Sequence, residues 1–203
     1  MFFKIVFLQI ERYLAVTTRH DGEWFCCLGS VVAFFGGEVM IAFDVGSHRF
    51  HFRAAAVITL SEHILLHQIE GQNFWCLPGG RVEPGERAEQ TVVREMHEEV
   101  GADIDVGNLL WTVENFFSHE GQPHHEIGLY FAAILKPGSS MLDLTKHHHG
   151  VEGSKSLKFV WFAREQLWSL DIRPAVLGEL LAKGQLVPAH VVQDGEQFTV
   201  RCL

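Results

Sequence analysis

The chain has 203 residues, of which 47% are hydrophobic and 20% charged, with a formal net charge of −9, enough apolar material for a single sizeable core. That acidity argues against polymeric nucleic acid as the main ligand, because no basic surplus is present to meet a phosphate backbone. No segment reaches the roughly 18 consecutive apolar residues of a membrane-spanning helix, and Lys4, Glu11, Arg12 and Glu38 break the two apolar runs near the start. The stretch Ile5 to Ile10 is also short for a secretory signal. The four cysteines, Cys26, Cys27, Cys76 and Cys202, show neither metal-binding spacing nor a disulfide framework, so a cytoplasmic location is expected.

Residues 1 to 39 carry two apolar patches and the vicinal pair Cys26-Cys27, without a sustained helix or strand period. Gly36-Gly37-Glu38-Val39-Met40 is what a purine-rich ribosome-binding sequence and a start codon would encode if read in frame. The expectation for 1 to 39 is therefore a translated leader, with an N-terminal extension that covers the sheet or mediates homodimerisation as the rival. N-terminal sequencing of native protein separates the two.

From Met40 the text changes. Met40 to Val45 and His48 to Leu60 read as strands. The short apolar stretch Phe74 to Leu77 ends in Pro78-Gly79-Gly80, and the turn Pro84-Gly85-Glu86 precedes good helix formers, so this segment reads as strand, loop, helix. Gly101 ends the helix. Asp103 to Phe117 reads as one or two strands broken near Gly107-Asn108, Ser118 to His125 as a loop, and Glu126 to Leu135 as another strand. His147-His148-His149 falls in a polar stretch read as a loop. A strand over Leu157 to Phe162 follows, then helices over Arg164 to Ser169 and Pro174 to Lys183, the second opened by proline and closed by Gly184. The tail from Leu186 reads as a hairpin turning at Asp194-Gly195. Strands interleaved with a few helices imply an α/β fold, a mixed β-sheet covered by helices.

The segment Gly80 to Ala102 carries the chemistry. It fits the pattern G(x5)E(x7)REUxEExGU, with U a bulky apolar residue, through Gly80, Glu86, Arg94, Glu95, Met96, Glu98, Glu99, Gly101 and Ala102. Only Ala102 is smaller than the pattern asks, which touches packing and not chemistry. At 100° per residue Glu95, Glu98 and Glu99 fall within an arc of about 100°, beside an apolar stripe of Ala88, Val92, Val93, Met96 and Val100 that would pack on a sheet. Clustered carboxylates repel by roughly 0.2–0.5 kcal/mol per i,i+4 pair, so the arrangement favours a bound cation. Hard oxygen ligands select magnesium or manganese.

This pattern resembles the signature of the Nudix hydrolases, and the likeness runs from about Met40 to Lys183, which places a Nudix hydrolase domain in residues 40–203. The resemblance implies an α/β/α sandwich and a pyrophosphohydrolase acting on a nucleoside diphosphate joined to another group. Nucleotide sugars, ADP-ribose, dinucleoside polyphosphates and modified nucleoside triphosphates all remain open as substrates. It further implies that Glu95, Glu98, Glu99 and the carbonyl of Gly80 hold Mg2+ or Mn2+, and that Glu86 and Arg94 tie the loop to the helix. Members of the family take their general base either from this helix or from a later loop or strand. Glu98 and Glu95 are the candidates on the helix, and Glu114, Glu120, Glu126 and Glu152 outside it. Glu126 is favoured among these as auxiliary ligand or base, because it opens the run Ile127 to Leu135.

Arg53 and Arg81 are candidate phosphate contacts, and Phe116 and Phe117, with Trp75 and Tyr130, are candidate stacking rings. His119, His124 and His125 lie where this family often places specificity. The rival to a hydrolase is a sensing module of the same fold that binds a nucleotide without cleaving it. Such a module would be expected to lose a glutamate of the motif, and none is missing.

Overall fold

The computed structural model describes the backbone of four strands between residues 6 and 33, and residues 40–203 in full. The four early strands, β1 (Val6–Ile10), β2 (Tyr13–His20), β3 (Glu23–Leu28) and β4 (Val31–Ala33), pair in order as an antiparallel sheet. β-branched and aromatic residues in β2 and β3 suit strands, although the apolar and polar positions do not alternate cleanly. The side chains of residues 1–39 lie outside the described residues, and with them the Cys26-Cys27 pair and the question of a leader.

A second, ten-stranded sheet contains β5 (Ala42–Val45), β6 (His48–Leu60), β7 (His63–Ile69), β8 (Gly79–Arg81), β9 (Ile104–His119), β10 (Gln122–Leu135), β11 (His148–Glu152), β12 (Lys155–Ala163), β13 (Ala189–Asp194) and β14 (Gln197–Cys202). Its main path runs β11-β12-β7-β6-β10-β9-β13-β14, with β5 and β8 also paired to β6. The pairs β6–β10 and β9–β13 are parallel and the others antiparallel, so the sheet is mixed.

Helix α1 (Ala88–Val100) covers one face and α2 (Ala175–Ala182) the other. Strand alternation in β6 supplies both: Ala54, Ala56 and Ile58 join Val92 and Met96 of α1, while Ala55 and Val57 join Val176, Leu177, Leu180 and Leu181 of α2. The result is an α/β/α sandwich. Among the described residues no helix is long and apolar enough to cross a membrane.

Several elements differ from the sequence expectation. The strand over His63–Ile69 has only a short apolar run, Ile64 to Leu66, and is stabilised by pairing with β12 across seven registers. Phe74 to Leu77 forms two isolated bridges, and the strand proper is Gly79–Arg81, one step later. β9 is continuous through Gly107-Asn108. The expected break is a pair of register shifts opposite Tyr130 to Ala133, where β9 bulges. The expected loop 118–125 shrinks to a two-residue turn, Glu120 and Gly121, both with positive φ as a tight hairpin turn requires. His124 and His125 therefore sit in β10. His148 and His149 likewise open β11 instead of lying in a loop. Residues Arg164–Ser169 form a 3-10 helix.

β6 stays beside β7 for only two registers, Thr59↔Ile64 and Leu60↔His63. The two strands then part, and the segment Cys76 to Gly80 fills the fork, bonding to β7 at His67 and to β6 at Ala55 and Ala56. This wedge brings the glycines of the motif between the strands and α1. A Cβ on Gly79, whose φ is +147°, would collide with the Ala54 carbonyl, so the close approach requires glycine there.

Candidate active site

α1 begins where Gln90 Oε1 accepts the Arg87 N–H at 3.0 Å, and ends at Gly101, whose φ of 65° lets its N–H reach the His97 carbonyl. The face it buries is narrower than the apolar stripe suggests. Val92 and Met96 are inside with Thr91, whereas Val93 is 39% exposed. Glu99, which lies outside that stripe, is nevertheless buried with them.

One guanidinium organises the loop and the carboxylates. Arg94 donates to both oxygens of Glu86, from Nε at 2.9 Å and from Nη2 at 3.1 Å, a bidentate grip. Its Nη2 also reaches the Arg81 carbonyl at 3.2 Å, and Nη1 reaches Glu95 Oε1 at 2.9 Å and Glu98 Oε2 at 3.1 Å. Glu86 Oε2 further accepts from the Thr91 hydroxyl at 2.7 Å and the Glu83 N–H at 3.2 Å. These bonds, the Arg94 grip foremost, hold the Glu86 carboxyl below its ordinary value.

The three remaining glutamates of α1 sit at graded depth. The Glu98 side chain is 57% exposed and Glu99 only 4%. Glu95 lies between, against Gly80, where a Cβ would fall onto its carboxylate. Burial raises the Glu95 pKa, with Arg94 opposing. Glu99 is pushed up to about 8 by burial first and by the nearby Glu95 charge second. Its Oε2 is buried with no hydrogen-bond partner. The nearest base is His67 of β7, whose Nδ1 stands 3.7 Å away and is itself buried and unpartnered. Burial and the Arg53 charge depress His67 to about 3, so it is neutral.

Beside this helix, one end of the sheet presents Arg49, His51 and Arg53 of β6 on a common face with His124 and Glu126 of β10, by register. Arg81 on β8 is opposite Arg53. Arg53 is anchored by an Nη2 bond of 2.7 Å to the Gly79 carbonyl. Burial is the largest single influence and disfavours its charge, but Glu126 across the face, joined by Cys76, Tyr130 and Glu99, raises its pKa overall. His51 Nε2 and His124 Nδ1 are 2.6 Å apart, and Phe117 stacks on His124 with centroids at 4.8 Å. Burial and then Arg81 lower His51 to about 4.

Phe116 and Phe117, taken together in the sequence as stacking candidates, are on opposite faces of β9, as successive strand residues must be. Phe117 shares the Arg53 face, and Phe116 stacks instead on His125 at 4.3 Å. Glu114 is engaged with His190 at 2.7 Å, and Glu120 lies in the β9–β10 turn. Tyr130 is buried in the core beside Trp111, and Trp75 packs edge-on to Phe162.

Residues 50–183 match the family model of the NUDIX domain. The chain belongs to the Nudix family. Among its relatives, a putative ADP-ribose pyrophosphatase of Bacillus subtilis is 31% identical over 86 residues, covering 42% of this chain and 41% of that protein. An asymmetrical bis(5'-nucleosyl)-tetraphosphatase of Sus scrofa is 47% identical over 93 residues, covering 44% of this chain and 61% of that protein. The aligned part thus spans less than two thirds of either relative. In fold, the chain is similar to a Nudix hydrolase crystal structure from Nitrosomonas europaea, with a TM-score of 0.50, 14% identity, and coverage of 89% of this chain and 94% of that one.

Nudix hydrolases generally use divalent metals. Among the described residues no three histidine, cysteine, aspartate or glutamate side chains converge at metal-binding distance. Arg94 instead bridges Glu95 and Glu98. The donor set nevertheless fits a hard cation: three carboxylates share one arc of α1, Glu99 keeps a buried oxygen without a partner, and the bare Cα of Gly80 lets Glu95 close on the main chain. His67 was missed in the sequence. It is far from the motif, and only the β6–β7 fork brings it to Glu99.

Proposed function

We propose that this Nudix protein is a metal-dependent pyrophosphohydrolase that cleaves the diphosphate linkage of a nucleoside diphosphate derivative. The observation that carries this reading is the graded set Glu95, Glu98 and Glu99 on one face of α1 beside Gly80, with the deepest carboxylate unpartnered. Those three side chains and the Gly80 carbonyl would hold Mg2+ or Mn2+. When bound, such ions neutralise the diphosphate oxygens and lower the pKa of a bound water.

The protein's own residues supply position and proton transfer. Glu86 and Arg94 clamp the loop to α1, so that Gly80 keeps its distance from the glutamates. Arg53, fixed on the Gly79 carbonyl, and Arg81 beside it give the substrate's phosphates a cationic wall. Glu98, the most exposed of the three helix glutamates, is suited to take a proton from the attacking water. Glu126, on the same face as Arg53, is the auxiliary ligand or base. Phe117 on that face is the ring placed to meet a base, while Phe116 faces away. The names of the relatives, an ADP-ribose pyrophosphatase and a dinucleoside tetraphosphatase, keep both substrate classes open. We assign this activity to residues 40–203, since β5 to β14 make up one sheet.

The test is a substrate panel of ADP-ribose, nucleotide sugars, dinucleoside polyphosphates and oxidised triphosphates, with Mg2+ or Mn2+, following release of monophosphate or pyrophosphate. Hydrolysis of one class that EDTA abolishes is the expected result. Binding of a nucleotide with no turnover across the panel would favour the sensing module.

A further inference from the structure

We propose that His67 is a positioning residue for Glu99, donating its Nδ1–H to Glu99 Oε2 so that the other carboxylate oxygen is presented to the cation. This rests on the hydrolase reading above and goes beyond its motif, since His67 lies on β7, outside Gly80 to Ala102.

Two buried polar atoms of complementary type face each other here. His67 Nδ1 and Glu99 Oε2 are 3.7 Å apart and neither has a hydrogen-bond partner. The side chains are 9% and 4% exposed, so water is a poor substitute for either. Reaching ordinary hydrogen-bond length needs a closure of roughly 0.5 Å. A neutral imidazole has one N–H to give; on Nδ1 it would go to the carboxylate.

Both partners are held in place. The His67 N–H donates to the Cys76 carbonyl and the Cys76 N–H returns to His67, each at 2.9 Å. The imidazole packs against Phe159 of the paired strand β12, with centroids at 5.3 Å. On the other side, β11 lies against α1 where Gly150 meets the Glu99 carbonyl, a contact that a Cβ would block. β7, β11 and β12 thus form a platform that fixes the depth of Glu99 and the ring beside it. Partners that orient a metal-ligating carboxylate typically govern 10–100-fold in metal affinity.

The test is Mn2+ titration of the full chain, read by the electron paramagnetic resonance of free Mn2+, together with thermal unfolding in EDTA. His67→Phe keeps a ring and removes the donor, His67→Leu is a second donor-free variant, and His67→Asn returns an N–H near the Nδ1 position. The donor-free variants should bind Mn2+ about 10- to 100-fold more weakly, and His67→Asn should recover most of that loss. In EDTA the donor-free variants should be as stable as the parent or more so, because a buried unpartnered nitrogen is gone. A purely structural histidine would give the reverse, with lower stability in EDTA and unchanged Mn2+ affinity per folded molecule. Mn2+ binding that Glu99→Gln abolishes and His67→Phe retains would overturn this proposal alone. A parent protein that binds no Mn2+ would remove the metal-dependent reading as well.

Discussion

Replacing Arg94 by lysine keeps the positive charge and removes the fork, which separates geometry from electrostatics at the centre of the motif. Arg94 makes five contacts: two to Glu86, one to the Arg81 carbonyl, and one each to Glu95 and Glu98. A lysine ammonium is a single point with three donors and cannot span the two Glu86 oxygens while reaching the Arg81 carbonyl. At least two of the five contacts are therefore lost. The Arg94 side chain is 24% exposed and Glu86 14%, so each loss is set at about 1.5 kcal/mol, the low end for bonds to charged groups, and the total at about 3 kcal/mol.

With a urea slope of about 2 kcal/mol per molar, the unfolding midpoint should fall by about 1.5 M. Measuring it in EDTA by tryptophan fluorescence excludes any metal contribution. Glu86→Gln completes a double-mutant cycle, with an expected coupling of about 1–3 kcal/mol. A midpoint shift for Arg94→Lys below about 0.3 M, or additive effects of the two substitutions, would refute the claim that Arg94 ties the loop to the helix through Glu86.

The same pair predicts a pH dependence. The Glu86 pKa is depressed in the folded chain from 4.5, chiefly by Arg94, so its stabilising contribution is complete above the unfolded value and fades as pH falls through the lower folded one. The stability gap between the parent and Glu86→Gln should shrink between about pH 6 and about pH 3; a constant gap across that range would contradict it. Glu98→Gln should lower turnover by two or more orders of magnitude, with little change in melting temperature because the side chain is 57% exposed. Steady-state kinetics beside calorimetry checks both halves, and unchanged turnover would displace Glu98 from the site. Gly80→Ala should push the Glu95 carboxylate off the main chain, cutting kcat/KM by about 10–100-fold while the fold survives, since a carboxylate on a flexible chain can move aside. Wild-type kinetics in that variant would show that Glu95 need not approach Gly80.

The motif segment was legible because its constraints are local. A proline and glycine before the helix, a glycine after it, and good helix formers between them set the bounds of α1 to within a residue or two. The spacing of Glu95, Glu98 and Glu99 puts them on one arc of any α-helix, whatever surrounds it. β6, β12 and the C-terminal hairpin were readable for a similar reason, the first two from apolar stretches carrying β-branched and aromatic residues and the hairpin from the Asp194-Gly195 turn. The Glu120-Gly121 turn was not, because glutamate is an uncommon residue at positive φ and carries no hairpin signal. His119, His124 and His125, which lie on strand ends, were thereby misplaced into a loop.

By itself, then, the sequence determined the catalytic family, the helix and the carboxylates it displays, because spacing along a helix is a property of the helix alone. Only the tertiary structure decided which of those carboxylates is buried, since burial depends on what packs opposite, and here that is β7, β11 and β12. It also decided that Phe117 and not Phe116 shares the Arg53 face, that one guanidinium serves three glutamates, and that His67 stands beside Glu99. Those relations join residues distant in the chain or on different elements. They follow from strand register and from the fork between β6 and β7, which no local pattern of residues encodes.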